Sequence, residues 1–354
     1  MSIDIKINKV KEILKNKKIA LAFSAGADST LLAYLAKEAG ADVLAITYDN
    51  QIFPSEFLEF AKRRADELGI RHEIIEGNFL DVDDIVENSP KRCLVCRKIM
   101  YGAIKQKAHE EGYEIIIDGN NITDLTHDRP GILMKYAFEI ESPFIDAELE
   151  TYEIHKFIED NNIEFSKSTT CLATRVKTNE TVTIDKVNRI DHGEAFIKDI
   201  TDCEVVKLRE SNNVATIELD NIENILDSEK LKTIYDELKK AQYEKILLNI
   251  DFNDGDDELV SDSELEIGKS NLTLRKKLPF GINIEETSKV LSGSNDETIE
   301  NIETLEDIGY IKFNIDKKES KIFKDGKISI ENNENKEEAK KSLVKILRLI
   351  RRTV

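Results

Sequence analysis

Over the first 165 residues, short apolar runs alternate with stretches whose apolar positions recur every three or four residues. A run of about five residues is too short for a helix and suits a buried strand, whereas i, i+3, i+4 spacing marks an amphipathic helix. Strands are predicted at Ile19 to Phe23, DVLAITY (42–48), RHEIIEG (71–77), YEIIID (113–118) and EIESPF (139–144). Helical spacing begins at Leu31, Leu32 and Leu35 and returns in PSEFLEFAKRRADELG, CRKIMYGAIKQKAHEEG and ELETYEIHKFIEDNN, which end near Gly or Asn. This alternation predicts an α/β protein with a doubly wound parallel sheet, whose ligands bind beyond the carboxyl ends of the strands at the switch point.

Past residue 183 the pattern changes to a smaller α+β unit: a helix over 185–200, strands over 203–209 and 213–219, a helix over 228–241 and a strand over 245–251. DFNDGDDELVSDSE (251–264) carries seven acidic residues and no basic one, the pattern of a solvated linker. Beyond it, strands are expected at 309–315, 320–324 and 327–331 and a helix at 336–352, whose Lys and Arg residues suit its negative dipole end. The expected division is 1–182, 183–251 and 252–354.

The segment SAGADS (24–29) joins the first strand to the first helix of the sheet. Such a step leaves the first helical N–H groups without partners at the positive end of the dipole, which makes an anion site. Ser24, Gly26, Ser29 and Thr30 add close backbone approach and hydroxyl donors, so phosphate is the expected guest, although the lysine of a Walker loop is missing.

At 354 residues, 40 % hydrophobic and 34 % charged, the chain is a soluble, multi-unit protein with no apolar run long enough for a membrane span. The charged start offers no secretory signal, which places the protein in the cytoplasm. A net charge of −19 opposes a mainly electrostatic nucleic-acid binder. Four cysteines in such a chain suggest metal or redox chemistry more than disulfides. Cys93 and Cys96, a C-x-x-C pair at a helix start, are expected to be thiolates because the dipole lowers their pKa. With Cys171 they would suit a [4Fe-4S] cluster with one iron left open, or structural zinc with a fourth ligand; Cys203 reads as core packing.

SAGADS resembles the S-G-G-x-D-S loop of the PP-loop ATP pyrophosphatases, with Ala25 where the family has Gly. IFPSEFLEFAKRRADELGIRHEII, RCLVCRK, DGNNITDLTHDRPG and STTCLATRV extend the resemblance, over about residues 14–251, to LarE-type sulfur transferases. It implies an adenine nucleotide alpha hydrolase-like fold, with ATP held by Ser24, Ala25, Gly26, Asp28, Ser29 and Arg129, and Mg²⁺ near Asp28 and Asp118. Asp118 reads equally as a capping residue; for Arg129 and Arg175 the lesser alternative is a surface ion pair. If Ala25 needs a positive φ, its Cβ costs about 1 kcal/mol. The family's reaction would engage Asp28, Asp118, Cys171 and Arg175: a small-molecule carboxylate, phosphorylated, is adenylated with release of PPi and converted to a thiocarboxylate. The sulfur would come from sulfide on a cluster held by Cys93, Cys96 and Cys171, from another sulfur donor, or from Cys171 itself. Lys207 and Arg209 match a basic strand that meets a phosphorylated substrate; His127 receives no role, and a homo-oligomer is compatible with all of this. The rival readings are a tRNA thiolase with a three-cysteine cluster and a non-catalytic nucleotide-binding regulator.

Overall fold

The computed structural model describes residues 2–167, 170–251, 259–268 and 271–353. The first two residues of STTCLATRV and part of the expected acidic linker lie outside the described residues. Strands β1 (Lys18–Ala22), β2 (Asp42–Asp49), β3 (Arg71–Glu76) and β4 (Ile115–Ile117) form one parallel sheet in the order β3-β2-β1-β4. The chain reverses direction across the sheet between β1 and β4, which is the switch point where such sheets open a crevice.

Alternation along the strands supplies two buried faces. Ile19, Leu21, Val43 and Ala45 enter one core with helices Ile3–Leu14, Ala27–Glu38, Phe57–Leu68 and Thr151–Asp160. Ala20, Leu44, Ile46 and Ile116 enter the other, against Tyr101, Ile104 and Ala108 of helix Arg92–Glu110. The strand expected at 139–144 shrinks to a single parallel bridge, Ile117 to Glu141. Pro143, which has no N–H for a ladder, instead starts the short helix Pro143–Asp146.

Strands β5 (Val206–Ser211), β6 (Val214–Leu219) and β7 (Lys245–Leu248) form a three-stranded sheet, in which β5 and β6 are antiparallel and β6 and β7 parallel. Its core is continuous with Ile52, Phe79, Leu172 and Val176, so this unit backs the cysteine loops directly. Cys203 is buried there, as expected, with its thiol on the Asn221 carbonyl.

The last unit is larger than its pattern suggested. Six strands, β8 (Leu265–Ile267), β9 (Leu272–Lys277), β10 (Ile299–Leu305), β11 (Tyr310–Ile315), β12 (Lys318–Phe323) and β13 (Lys327–Asn333), lie in the order β10-β11-β12-β13-β9-β8. Helices Ile284–Ser292 and Lys336–Leu349 pack on them, and the core takes in Ile122, Leu125, Ile132 and Ile145 of the first unit. Within the acidic stretch Leu259 and Val260 are buried in this core, so its end is anchored rather than solvated. Two cations of the last helix pair with the first unit: Lys340 with Glu150 at 2.7 Å and Arg348 with Asp146 at 3.4 Å. Among the described residues, no helix is long and apolar enough to cross a membrane.

Candidate functional site

The turn after β1 is shaped by Ala25, whose φ of 55° is left-handed and whose side chain is fully buried. The positive φ asked of this position is therefore met by a residue with a Cβ. Gly26 follows as an extended N-cap with no side-chain cap on helix Ala27–Glu38, which leaves the first-turn N–H groups open to the cleft. Ser24 Oγ and Ser29 Oγ lie 3.2 Å apart beside them. Across the crevice, the loop after β4 comes so close that a Cβ on Gly119 would stand 2.9 Å from Asp28 Cβ and 3.0 Å from Ser29 N. Only glycine permits this approach.

Between these loops opens a cleft of about 590 Å³, lined by Ser24, Gly26, Asp28, Ser29, Phe53, Phe57, Cys93, Arg97, Asp118, Asp124 and Arg129. Its size is that of a small-molecule site. Asn121 Nδ2 donates to Asp28 Oδ1 at 3.0 Å. Burial and the nearby Asp124 nevertheless push the Asp28 carboxyl up to about 7.

Several residues singled out in the sequence are committed elsewhere. Asp118 lines the cleft, but its Oδ1 accepts from Ser142 Oγ at 2.6 Å and Asn120 N at 3.1 Å, and its Oδ2 from Tyr101 and the Asn120 amide. With two donors on each oxygen it positions the loop and has little left for a cation. Arg129 pairs with Asp124. Arg175 is 2 % exposed, joined to Glu194 through Nε at 2.7 Å and NH2 at 3.2 Å, and gives NH1 to Thr170 and Thr174. This bidentate pair fixes the Cys171 loop to helix Ile184–Thr201, and neither Arg175 nor Lys207 nor Arg209 lines the cleft. His127 Nδ1 meets the Thr123 carbonyl at 2.9 Å.

Cys96 departs from the expected thiolate. Cys93 stands at the cleft wall, with Cys96 half-buried behind it under the Asn50 amide at 3.4 Å. Burial first, then the neighbouring Cys171 and Cys93, push Cys96 up to about 12; burial raises Cys171 as well. The dipole is outweighed because a second-turn sulfur behind the wall loses its hydration. Among the described residues no three metal-ligating side chains stand in ready coordination geometry. Cys96, on helix Arg92–Glu110 with Cys93, and Cys171, on the loop before Leu172, pack against the same core.

Arg97, Asn121 and Asp124 were not singled out in the sequence. Their signal lay inside the quoted motifs: Arg97 is four residues after Cys93, hence on the same helical face, and the other two belong to DGNNITD.

An uncapped helix N-terminus at the switch point of a parallel sheet, facing an acid–amide loop and a convergent cysteine set, defines a PP-loop nucleotide-binding protein. The family model for the thiamine biosynthesis protein ThiI matches residues 14–191, and the chain belongs to that PP-loop family. It is 30 % identical over 244 residues to the Methanocaldococcus jannaschii protein MJ0830, covering 69 % of this chain and 94 % of that one. Over 207 residues it is 25 % identical to the pyridinium-3,5-bisthiocarboxylic acid mononucleotide synthase of Lactiplantibacillus plantarum, covering 57 % of this chain and 75 % of the other. Over 150 residues it is 27 % identical to a tRNA-specific 2-thiouridylase of Caldanaerobacter subterraneus, covering 36 % and 41 %.

Proposed function

We propose that this protein is an ATP-dependent sulfur transferase that adenylates a small-molecule carboxylate and converts it to a thiocarboxylate. The observation that carries the reading is the open helix N-terminus with its Ser24–Ser29 hydroxyl pair, facing across one cleft the helix that bears Cys93. The relatives in carboxylate and base thiolation support the chemistry.

In this reading Ser24, Gly26 and Ser29 hold the phosphates that leave as pyrophosphate, with the helix dipole offsetting their charge. Asp28 is the residue to hold Mg²⁺, which when bound shields the triphosphate; a cation would return the carboxyl to its ionised state. A carboxylate oxygen of the acceptor attacks the α-phosphorus, the bond to the β-phosphate oxygen breaks and pyrophosphate leaves. Sulfide sulfur then attacks the acyl carbon, the carbon–oxygen bond to the phosphate breaks, AMP leaves and one proton goes to solvent. Cys93, Cys96 and Cys171 fit a cluster by donor type, and a metal would deprotonate Cys96 and Cys171, whose thiols burial otherwise pushes up. When bound there, a [4Fe-4S] group with three protein ligands supplies one open iron for sulfide. Arg175 keeps Cys171 in place through Thr170 and Thr174.

The test is anaerobic purification with iron and sulfide counting, followed by measurement of acceptor-dependent PPi and AMP. Expected are about four irons per chain, lost on replacing any one of Cys93, Cys96 or Cys171 but not Cys203, and sulfide-supported multiple turnover. Tightly bound zinc without iron, or a single turnover with loss of one sulfur from Cys171, overturns the cluster; no PPi with any carboxylate overturns the transferase.

A further inference from the structure

We infer that Arg97 is the cation that receives the acceptor's carboxylate and turns it toward the nucleotide. Among the described residues two guanidinium groups line the cleft, and Arg129 is paired with Asp124, which leaves Arg97 for a ligand. Around Arg97 no carboxylate of a described residue comes within ion-pairing distance. Its hydrogen bond is a long one, 3.5 Å from NH1 to Asn120 Oδ1, and its Cζ stands 5.5 Å from the centroid of the Tyr101 ring. A guanidinium has five donors, so most of this group's capacity is unspent in a half-buried position. The Asp118 and Asp124 carboxylates act on this charge through space without bonding to it, so its unspent donors remain for an anionic ligand.

The chain makes room for this side chain. A Cβ on Gly131 would lie 2.9 Å from Arg97 Cδ, 3.2 Å from its Cβ and 3.1 Å from the Cys93 carbonyl, so a glycine is what lets the Arg97 stem pass. The Tyr101 ring, one turn further along the same helix, flanks the guanidinium.

Position decides which anion it takes. The triphosphate has its own donors at the uncapped N-terminus of helix Ala27–Glu38, on the opposite face of the sheet from the helix that carries Arg97. Arg97 instead shares its helical face with Cys93, one turn away, and so lies on the sulfur side of the cleft. A planar fork matches a carboxylate in bidentate fashion and leaves that group's outer lone pairs free to attack phosphorus. Once the carboxylate has become an acyl phosphate its charge is gone and the ion pair relaxes, while the same N–H groups remain beside the acyl oxygen as negative charge develops there during sulfur attack. The inference rests on the transferase reading for these steps, but the binding geometry is independent of turnover.

The test separates the two. Wild type, Arg97→Lys, Arg97→Met and Gly131→Ala are compared by calorimetry for a non-hydrolysable ATP analogue, and for pyridine-3,5-dicarboxylate in the presence of that analogue; this carboxylate is the oxygen counterpart of the acid named in the Lactiplantibacillus relative. Arg97→Met should bind the dicarboxylate about tenfold more weakly or worse and the ATP analogue within about twofold of wild type. Arg97→Lys should fall between, because it restores charge without the fork. Gly131→Ala should weaken dicarboxylate binding by displacing the Arg97 stem. An equal loss of nucleotide affinity would assign Arg97 to the phosphates and overturn the inference. So would unchanged dicarboxylate affinity in a folded Arg97→Met protein, or a wild type that binds no dicarboxylate. A wild type that binds both ligands but releases no PPi would instead remove the transferase reading and leave Arg97 as a carboxylate ligand.

Discussion

Arg352, near the end of the chain, reaches across to Asp128 at 2.5 Å, three residues from the glycine under Arg97's stem and next to Arg129. Its guanidinium also lies over Phe280 at 4.3 Å, and its NH1 donates to the His127 carbonyl at 3.5 Å. The C-terminal unit thus holds the loop that walls the cleft. Arg352→Ala should lower stability by about 1–2 kcal/mol and raise the acceptor KM more than the ATP KM. Equal KM values in mutant and wild type would show that the tether does not bear on the site.

Asp28 gives a pH signature in protein free of metal and nucleotide. Its carboxyl titrates near 7 in the fold and near the ordinary carboxylate value when unfolded, so the folded state holds the proton more tightly. Its contribution to stability is complete below about pH 4 and is lost as pH rises toward 7. Asp28→Asn should therefore stabilise the protein at pH 8, by on the order of 1 kcal/mol or more, and change little at pH 4. Unfolding midpoints at both values, in EDTA, are the check; equal gains at both would mean that something other than ionisation is relieved.

Ala25 separates backbone strain from packing. Glycine relieves a left-handed residue by about 1 kcal/mol but loses a buried methyl and frees the unfolded chain by similar amounts. Ala25→Gly should thus leave stability within about 1 kcal/mol and retain nucleotide binding. Ala25→Val, with a branched Cβ at φ 55° and no exposed surface, should cost more than about 2 kcal/mol and abolish ATP binding. Thermal melts with and without nucleotide distinguish the two variants.

Glu194, at 5 % exposure, has Arg175 as its bidentate partner. Arg175→Met should destabilise by about 3–5 kcal/mol, since it strands a buried carboxylate, and should free Cys171 to react faster with an alkylating reagent. If Arg175 contacted substrate instead, Cys171 labelling would not change while turnover collapsed.

The sequence by itself determined the parts whose causes are local. Five-residue apolar runs and i, i+4 spacing define the parallel sheet and its helices because strand and helix bury residues at different periods. The open helix start behind the Ser24–Ser29 turn was legible because it is fixed by neighbours in the chain. Glu139 to Phe144 misled because Pro143 removes a ladder donor inside the segment that reads as a strand. Strands β8, β9 and β10 went unseen because their exposed faces carry Lys, Arg and Glu, and it is antiparallel pairing, β8 with β9, β10 with β11 and β9 with the distant β13, that makes them strands. Tertiary structure alone decided which charges are spent. Arg175 meets Glu194 nineteen residues away, Arg352 meets Asp128 from the far end of the chain, Asp118 is saturated by Tyr101 and Ser142, and Arg97 is left facing the cleft. Whether a cation serves a ligand or the fold depends on what is packed against it, and residues far apart in sequence supply that.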